Sequence, residues 1–388
     1  MLMKIFLSRS GLKGLRAIKR LVHLAVLSCG ILLSPAFRAQ SSQLTNIQTV
    51  FLILMENKGW DQIHGNADCP YINNTLLPMA SRAERYFTPY DLQPSEPNYI
   101  WLEAGTNFGI LDDELPAINH ITSTNHLVTQ LEKAGISWKT YQESYNPNDD
   151  PRNDDRPYVA RHNPFVFFDD VANDQARLAS HVRPYSELAA DLQRNAVARY
   201  NFITPNLTND MHSLAPGSGS KEKQGDDWLA RELPAILSSA AYSNKGALFI
   251  TWDEDSNGPI GLILLSPLAK GRGYSNNIDY THSSLLRTLQ EIFGVGPLLG
   301  DAANATDLSD LFLNDGLKLS ALQDAKTGVT HLTLTGLVAG RKNVIQTSSN
   351  LFVWLPLKTN IATTNALSFI DTADSGRRPR FYRALEFR

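Results

Sequence analysis

Residues 49–55, TVFLILM, form an unbroken β-branched and apolar run. A run this short and this uniform predicts a strand buried on both faces, as in a parallel sheet covered by helices. Residues 247–252 and 260–266 have the same texture, and 137–141 and 200–203 are shorter versions of it. Helical periodicity lies between them, over 127–134, 185–196 and 226–239. It recurs over 282–293, where Leu285, Leu286, Leu289, Ile292 and Phe293 share one face. A further helix is expected from Ser95 to Gly105. Strands alternating with helices predict an α/β fold with a mostly parallel sheet flanked by helices.

Beyond about residue 313 the texture changes. Short alternating stretches at 331–335, 343–347, 351–357, 366–370 and 380–385 are separated by turn residues. They predict a small C-terminal all-β module, sandwich-like, over 317–388. Trp354, Phe381 and Tyr382 read as its core. Two polar loops stand apart. Residues 146–157, rich in Asp, Asn and Pro, read as a solvated loop, and the Gly/Ser/Lys-rich stretch 217–225 as a mobile lid.

The N-terminus changes the picture of charge and compartment. Residues 1–20 carry six basic side chains and no acid, and an apolar run from Leu21 to Leu33 follows, then small residues at Ser34, Ala36 and Ala39. That order predicts a signal peptide over 1–39 and a secreted or periplasmic protein without stable membrane insertion. Leu27-Ser28-Cys29 fits a lipidation motif poorly. Removing 1–39 takes away seven basic residues and no acid, so the formal charge falls from −3 to −10. A chain this acidic has no electrostatic footprint for nucleic acid. Cys69 is then the one remaining cysteine, which excludes an intramolecular disulfide.

Candidate chemistry sits where the apolar runs end, because ligands of open α/β sheets lie beyond the carboxyl ends of the strands. The first run ends in Glu56-Asn57, hard oxygen ligands for a divalent cation. Residues 247–252 end in Asp253-Glu254-Asp255, three acids that repel unless a cation or solvent neutralises them. The same stretch mimics the start of a calcium-binding loop, but its twelfth position is Leu264 inside a strand, so that reading fails. His162, His212 and His282 stand at junctions of loops and elements. Ser95 precedes a helix, where a serine is ordinarily a cap. A nearby metal would instead make it a nucleophile, with the helix start and Asn98 donating to phosphate oxygens.

Read in order, Leu54-Met55-Glu56-Asn57, Ser95-Glu96-Pro97-Asn98-Tyr99, His162-Asn163-Pro164-Phe165, Pro205-Asn206 to Asp210 and His212, Thr251-Trp252-Asp253-Glu254, and His282 with Leu285 to Thr288 form a recurring set. Over about residues 48–313 the chain resembles the phosphoesterase family of the alkaline-phosphatase superfamily, which contains bacterial acid phosphatases and phosphatidylcholine-type phospholipases C. The resemblance implies an alkaline-phosphatase-like catalytic domain over 46–313. It implies that Glu56, Asn57, Ser95, Asp253 and Glu254 hold a divalent metal ion, whether calcium, magnesium, manganese, zinc or iron. Ser95 would be the nucleophile, Asn98 would bind phosphate, and His162, His212 and His282 would complete the site. The expected function is a secreted, metal-dependent, acid-phosphatase-like phosphomonoesterase working through a phosphoserine intermediate on a small phosphate ester. The alternative is a phospholipase C or other phosphodiesterase acting on a phospholipid through the same residues. A sulfatase would need an Arg after Pro97, where Asn98 and Tyr99 stand. An α/β-hydrolase esterase would need a Gly-x-Ser-x-Gly elbow, which is missing.

Overall fold

The computed structural model describes residues 44–387, apart from 218, 256, 314–316, 325, 326, 328, 338, 339, 365 and 372–379. The expected signal peptide lies outside the described residues. Among those described, no helix is long and apolar enough to cross a membrane.

An eight-stranded sheet forms the core of the catalytic part. Its strands are β1 (Thr49–Met55), β2 (Ser81–Ala83), β4 (Trp138–Gln142), β5 (Val182–Pro184), β6 (Tyr200–Thr204), β7 (Gly246–Trp252), β8 (Leu262–Leu265) and β9 (Tyr274–Asn276), in the order β5-β4-β6-β1-β7-β8-β2-β9. Two short strands, β3 (Tyr86–Phe87) and β10 (Tyr280–Thr281), pair separately. β8 alone runs against its neighbours in the large sheet; every other pairing in it is parallel. β1 and β7 are buried almost end to end, as their unbroken apolar runs require. The helices accompanying the sheet include Ser95–Ala104, Leu127–Lys133, Lys221–Leu237 and His282–Phe293. The lid expected at 217–225 is instead largely the first turn of the Lys221–Leu237 helix, capped by the Ser220 hydroxyl on the Lys223 N–H.

The remaining strands, β11 (Lys318–Gln323), β12 (Thr330–Thr335), β13 (Lys342–Ser348), β14 (Leu355–Ile361), β15 (Ala366–Asp371) and β16 (Phe381–Phe387), make two antiparallel three-stranded sheets, β11-β12-β15 and β14-β13-β16. They have a small core of their own around Leu334, Leu337, Ile345 and Ala362. The expectation that Phe381 lies in this core is wrong. Phe381 is 37% exposed, and Trp354 is only half-buried, stacked under the Arg383 guanidinium. Strand alternation sends Phe381 to the outer face of an edge strand.

One buried network fixes the Ser95–Ala104 helix against the rest. Glu103, in its last turn, accepts from the Val128 N–H at 2.7 Å and pairs with His126 Nδ1 at 2.9 Å. His126 Nε2 reaches Asp170 at 3.0 Å, and Arg177 bonds the same carboxylate. His126 is fully buried and stacked on Phe168. Burial pushes the His126 pKa down, but hydrogen bonds to Asp170 and Glu103 outweigh it and hold it above the usual range. For Asp170, burial acts upward, but the bonds from His126, Arg177 and Thr129 hold it well below the usual range.

Removing one member of such a network leaves buried charge uncompensated, so His126→Gln should cost about 3–5 kcal/mol of unfolding free energy near pH 6. The raised imidazole stabilises fully below its unfolded value of about 6.5 and loses that contribution as pH climbs through its folded value. The depressed Asp170 loses its contribution as pH falls below about 4. Urea unfolding from pH 3 to 9 should therefore show the gap between wild type and variant widest between about pH 4 and 6.5, narrowing on either side. A constant gap across that range would refute the network's charged state.

Candidate active site

Strand register builds the centre of the site. Met55 pairs with Trp252 across β1 and β7, so the next residues, Glu56 and Asp253, leave the sheet side by side. The Asp253 N–H donates to the Met55 carbonyl at 3.0 Å, and Asp253 Oδ1 accepts from the Asn57 N–H at 2.7 Å. Asn57 is left-handed (φ 53°), a region Asn tolerates, and this turn keeps Glu56 pointing inward. On the other side of β1, the chain leaving β6 returns so that the Asp210 carbonyl accepts from the Glu56 N–H at 2.8 Å. Met211 then takes φ 81°, and the flanking side chains differ in environment: Asp210 is fully buried while His212 is half-buried. Met211 packs so closely on Gly225 that a Cβ there would lie 2.4 Å from its side chain.

Glu56, Asp210 and Asp253 are all fully buried. His162 is wedged between two of them, Nε2 3.3 Å from Glu56 Oε1 and Nδ1 3.4 Å from Asp210 Oδ2. Tyr99 stacks flat on His162, ring centroids 5.0 Å apart, and donates to Glu56 Oε1 at 2.7 Å. The Ser95 hydroxyl donates to Glu56 Oε2 at 2.9 Å. Burial first, then the charges of Asp253 and Asp210, holds Glu56 well above the carboxylate range. Burial does the same to Asp210, further raised by Asp253. Asp253 is pushed up to about 6, chiefly by burial, and Glu254 to about 8, by burial and then by Asp253. Burial, reinforced by Arg161 and His212, keeps His162 neutral.

This arrangement fits a cation. One ligand atom each from Glu56, His162 and Asp210 lie within 4.8 Å of one another. Asp210 Oδ2, Asp253 Oδ2, Glu254 Oε2 and both His162 nitrogens are buried without a hydrogen-bond partner. Buried carboxylates are ordinarily paired or metal-bound, and crowding several raises the cost further. Asp210 and Tyr99 carried no assigned role in the sequence reading. The signal available for Asp210 was its place after a buried strand, two residues before His212.

Three expected site residues stand differently from expectation. Asn98 was to donate to phosphate, but its amide nitrogen already bonds the Leu92 and Pro94 carbonyls, at 2.8 and 3.0 Å, bracing the loop before the helix. His282 has both ring nitrogens engaged: Tyr86 Oη lies 3.0 Å from Nδ1, and Nε2 contacts the Asp253 carbonyl at 2.6 Å. It therefore supports the Asp253 strand end from behind. Asn57 is exposed and turns its amide N–H to Glu56 Oε2. The helix start offers fewer donors than expected, since the Glu96 N–H is taken by Asp113 and Pro97 has none. Cys69 is buried, its thiol pushed up to about 12 by burial and then by neighbouring acids, so it is no nucleophile.

Residues 80–258 match the model of the Phosphoesterase family. Over that segment the chain is similar to the family, and together with its phosphatase-named relatives this identifies a hydrolase acting on phosphoric ester bonds. A phosphatidylinositol-3-phosphatase of Mycobacterium tuberculosis is 29% identical over 78% of this chain and 99% of its own. A probable acid phosphatase of Kluyveromyces lactis is 27% identical over 67% of this chain and 64% of its own. For an Aspergillus fumigatus acid phosphatase the figures are 29%, 53% and 47%, so the chain spans about half of that relative. Among solved structures, a phosphonate monoester hydrolase from Silicibacter pomeroyi superposes with a TM-score of 0.44 at 13% identity, over 74% of this chain and 85% of that one.

Asp210→Asn should weaken divalent-cation binding by about 10- to 100-fold or more, read as metal per chain after dialysis. Because it removes one of the crowded carboxylates, the same variant should melt higher than wild type in chelator. Undiminished metal content together with a lower melting temperature in chelator would show that Asp210 is not a ligand.

Proposed function

We propose that this protein is a metal-dependent phosphomonoesterase that transfers the phosphoryl group to Ser95 and then to water. The observation that carries this reading is the Ser95 hydroxyl, 2.9 Å from Glu56 inside a buried cluster of Asp210, Asp253 and His162. A divalent cation held by Glu56, Asp210, His162 and Asp253, with Glu254 in reach, would favour the ionised serine oxygen and offset charge on the phosphate. The imidazole in this set weighs towards zinc, iron or manganese and against calcium or magnesium.

Glu56 Oε2 already accepts the Ser95 proton in a hydrogen bond, so it is placed to take that proton as Oγ bonds to phosphorus and the ester oxygen departs. Tyr99 holds the other Glu56 oxygen and, by stacking, the plane of His162. His212 is half-buried and is kept neutral, its pKa pushed down to about 4 by burial and then by Arg161. A neutral imidazole at the mouth can accept a proton from the water that releases Ser95, while the leaving oxygen takes its proton from solvent. His282 and Asn98 act through position alone. Relatives named as a phosphatidylinositol-3-phosphatase and as acid phosphatases support a monoester substrate. A cavity of about 520 Å³ is lined by polar groups including His120, Asp150, Arg152 and Asp169 and by none of the site residues, so it supplies no lipid groove beside Ser95. The basic-apolar-small order of residues 1–39 supports export, with the enzyme acting outside the cytoplasm.

Ser95→Ala should lower kcat on p-nitrophenyl phosphate by on the order of 10³-fold or more, with the metal retained. Chelation should abolish wild-type activity, and a divalent cation should restore it. Rapid-quench mass spectrometry of wild type should find phosphate on the Ser95 peptide. Substantial turnover by Ser95→Ala would remove the serine from the mechanism.

A further inference from the structure

Arg161 is set apart from other buried arginines by what it lacks. Arg177 bonds Glu132, Thr129 and Asp170, and Arg287 bonds Glu291 and three backbone carbonyls. Both are thereby satisfied as structural cations. Arg161 has charge neighbours but loose ones: Nε lies 3.4 Å from Asp113 Oδ2, and Nη1 lies 3.9 Å from Asp154 Oδ2. Both distances exceed the usual 2.7–3.2 Å of such bonds. Its Nε is buried without a hydrogen-bond partner, although only 13% of the side chain is exposed. A guanidinium carries five donors in a planar fork, matched to pairs of phosphate or carboxylate oxygens.

Its position links it to the site by two routes. It precedes His162 in the short helical turn Ala160–His162, so the same backbone delivers both side chains. Its partner Asp113 accepts the Glu96 N–H at 3.0 Å, one residue from Ser95. Asp113 also raises the Glu254 carboxyl, while Arg161 acts on His162, His212 and Asp210. Through Asp113 the guanidinium stands one contact away from the Glu96 N–H beside Ser95, and both of its own contacts are long enough for an incoming anion to displace.

We propose that Arg161 is the residue that reads substrate charge, its guanidinium pairing with the non-bridging oxygens of a dianionic phosphate monoester and so favouring monoesters over singly charged diesters. This rests on the phosphomonoesterase reading and names the group that sets its substrate class. A monoester presents about two negative charges near neutral pH and three terminal oxygens, which a planar fork can grip in pairs. A diester presents two such oxygens and one charge. Lys at the position would keep the charge but not the fork.

The test compares wild type, Arg161→Gln, Arg161→Lys and Asp154→Asn in their metal-loaded forms. Kinetics on p-nitrophenyl phosphate and on bis(p-nitrophenyl) phosphate are read beside calorimetric binding of inorganic phosphate, which needs no turnover. Arg161→Gln should raise KM for the monoester and Kd for phosphate by about 10- to 100-fold, with diester kcat/KM changed less than about threefold. Arg161→Lys should recover part of the phosphate affinity. Asp154→Asn, which loosens the brace and keeps the guanidinium, should leave phosphate Kd within about twofold of wild type. Equal losses on both esters, unchanged phosphate binding, or an Asp154→Asn defect matching that of Arg161→Gln would overturn the proposal. Wild type that binds phosphate in an Arg161-dependent way but hydrolyses neither ester would sink the phosphomonoesterase reading and leave the anion site standing.

Discussion

Glu56 and Asp253 leave the ends of adjacent strands and meet Asp210 from the loop after β6, all three buried from solvent, and no lysine or arginine among the described residues bonds to them. Such a cluster is unfavourable on its own, since burial and mutual repulsion both oppose its ionisation. The fold nevertheless enforces it. The β1–β7 register sets Glu56 beside Asp253, and the backbone bond from Glu56 to Asp210 brings in the third acid. Central parallel strands, buried on both faces, cannot slip by one residue without turning every side chain over. The cluster is therefore as rigid as the core beneath it.

The rest of the site is arranged around that constraint. Ser95 and Tyr99, one helical turn apart, both donate to Glu56. Their helix is anchored at its far end through Glu103, His126 and Asp170. His282 steadies the Asp253 end of β7, and Asn98 steadies the approach to the helix. These residues hold the geometry of the buried cluster and of the serine beside it. Catalytic sites need this kind of support, because small displacements of the reacting groups cost rate.

How much of this could be read beforehand depends on where each residue sits. β1 and β7 end sharply in acids, so Glu56, Asp253 and Glu254 were visible once the runs were read as strands. The two C-terminal sheets were visible as alternation, although β14 begins at Leu355 rather than 351. Asp210 was invisible as a member of the cluster because the segment after β6 has no periodicity, and its direction depends on the left-handed Met211. His282 was placed correctly at a helix start, but a sequence does not show that Tyr86 and the Asp253 carbonyl use both ring nitrogens. The Gly/Ser-rich stretch before the Lys221–Leu237 helix looked like a lid because a Ser cap and a loop share composition. Residue type located the strand ends; only tertiary packing decided which polar atoms were left without partners.

The central claim is that the unpartnered carboxylate oxygens and one ring nitrogen of His162 form the coordination shell of a cation. The direct measurement is anomalous diffraction from crystals of the wild-type protein grown with millimolar manganese or zinc. The account predicts a single anomalous peak among Glu56, His162, Asp210 and Asp253, about 2.0–2.3 Å from their ligand atoms. Crystals diffracting well in the same metal with no peak there, and with the three carboxylates hydrogen-bonded to one another, would contradict it.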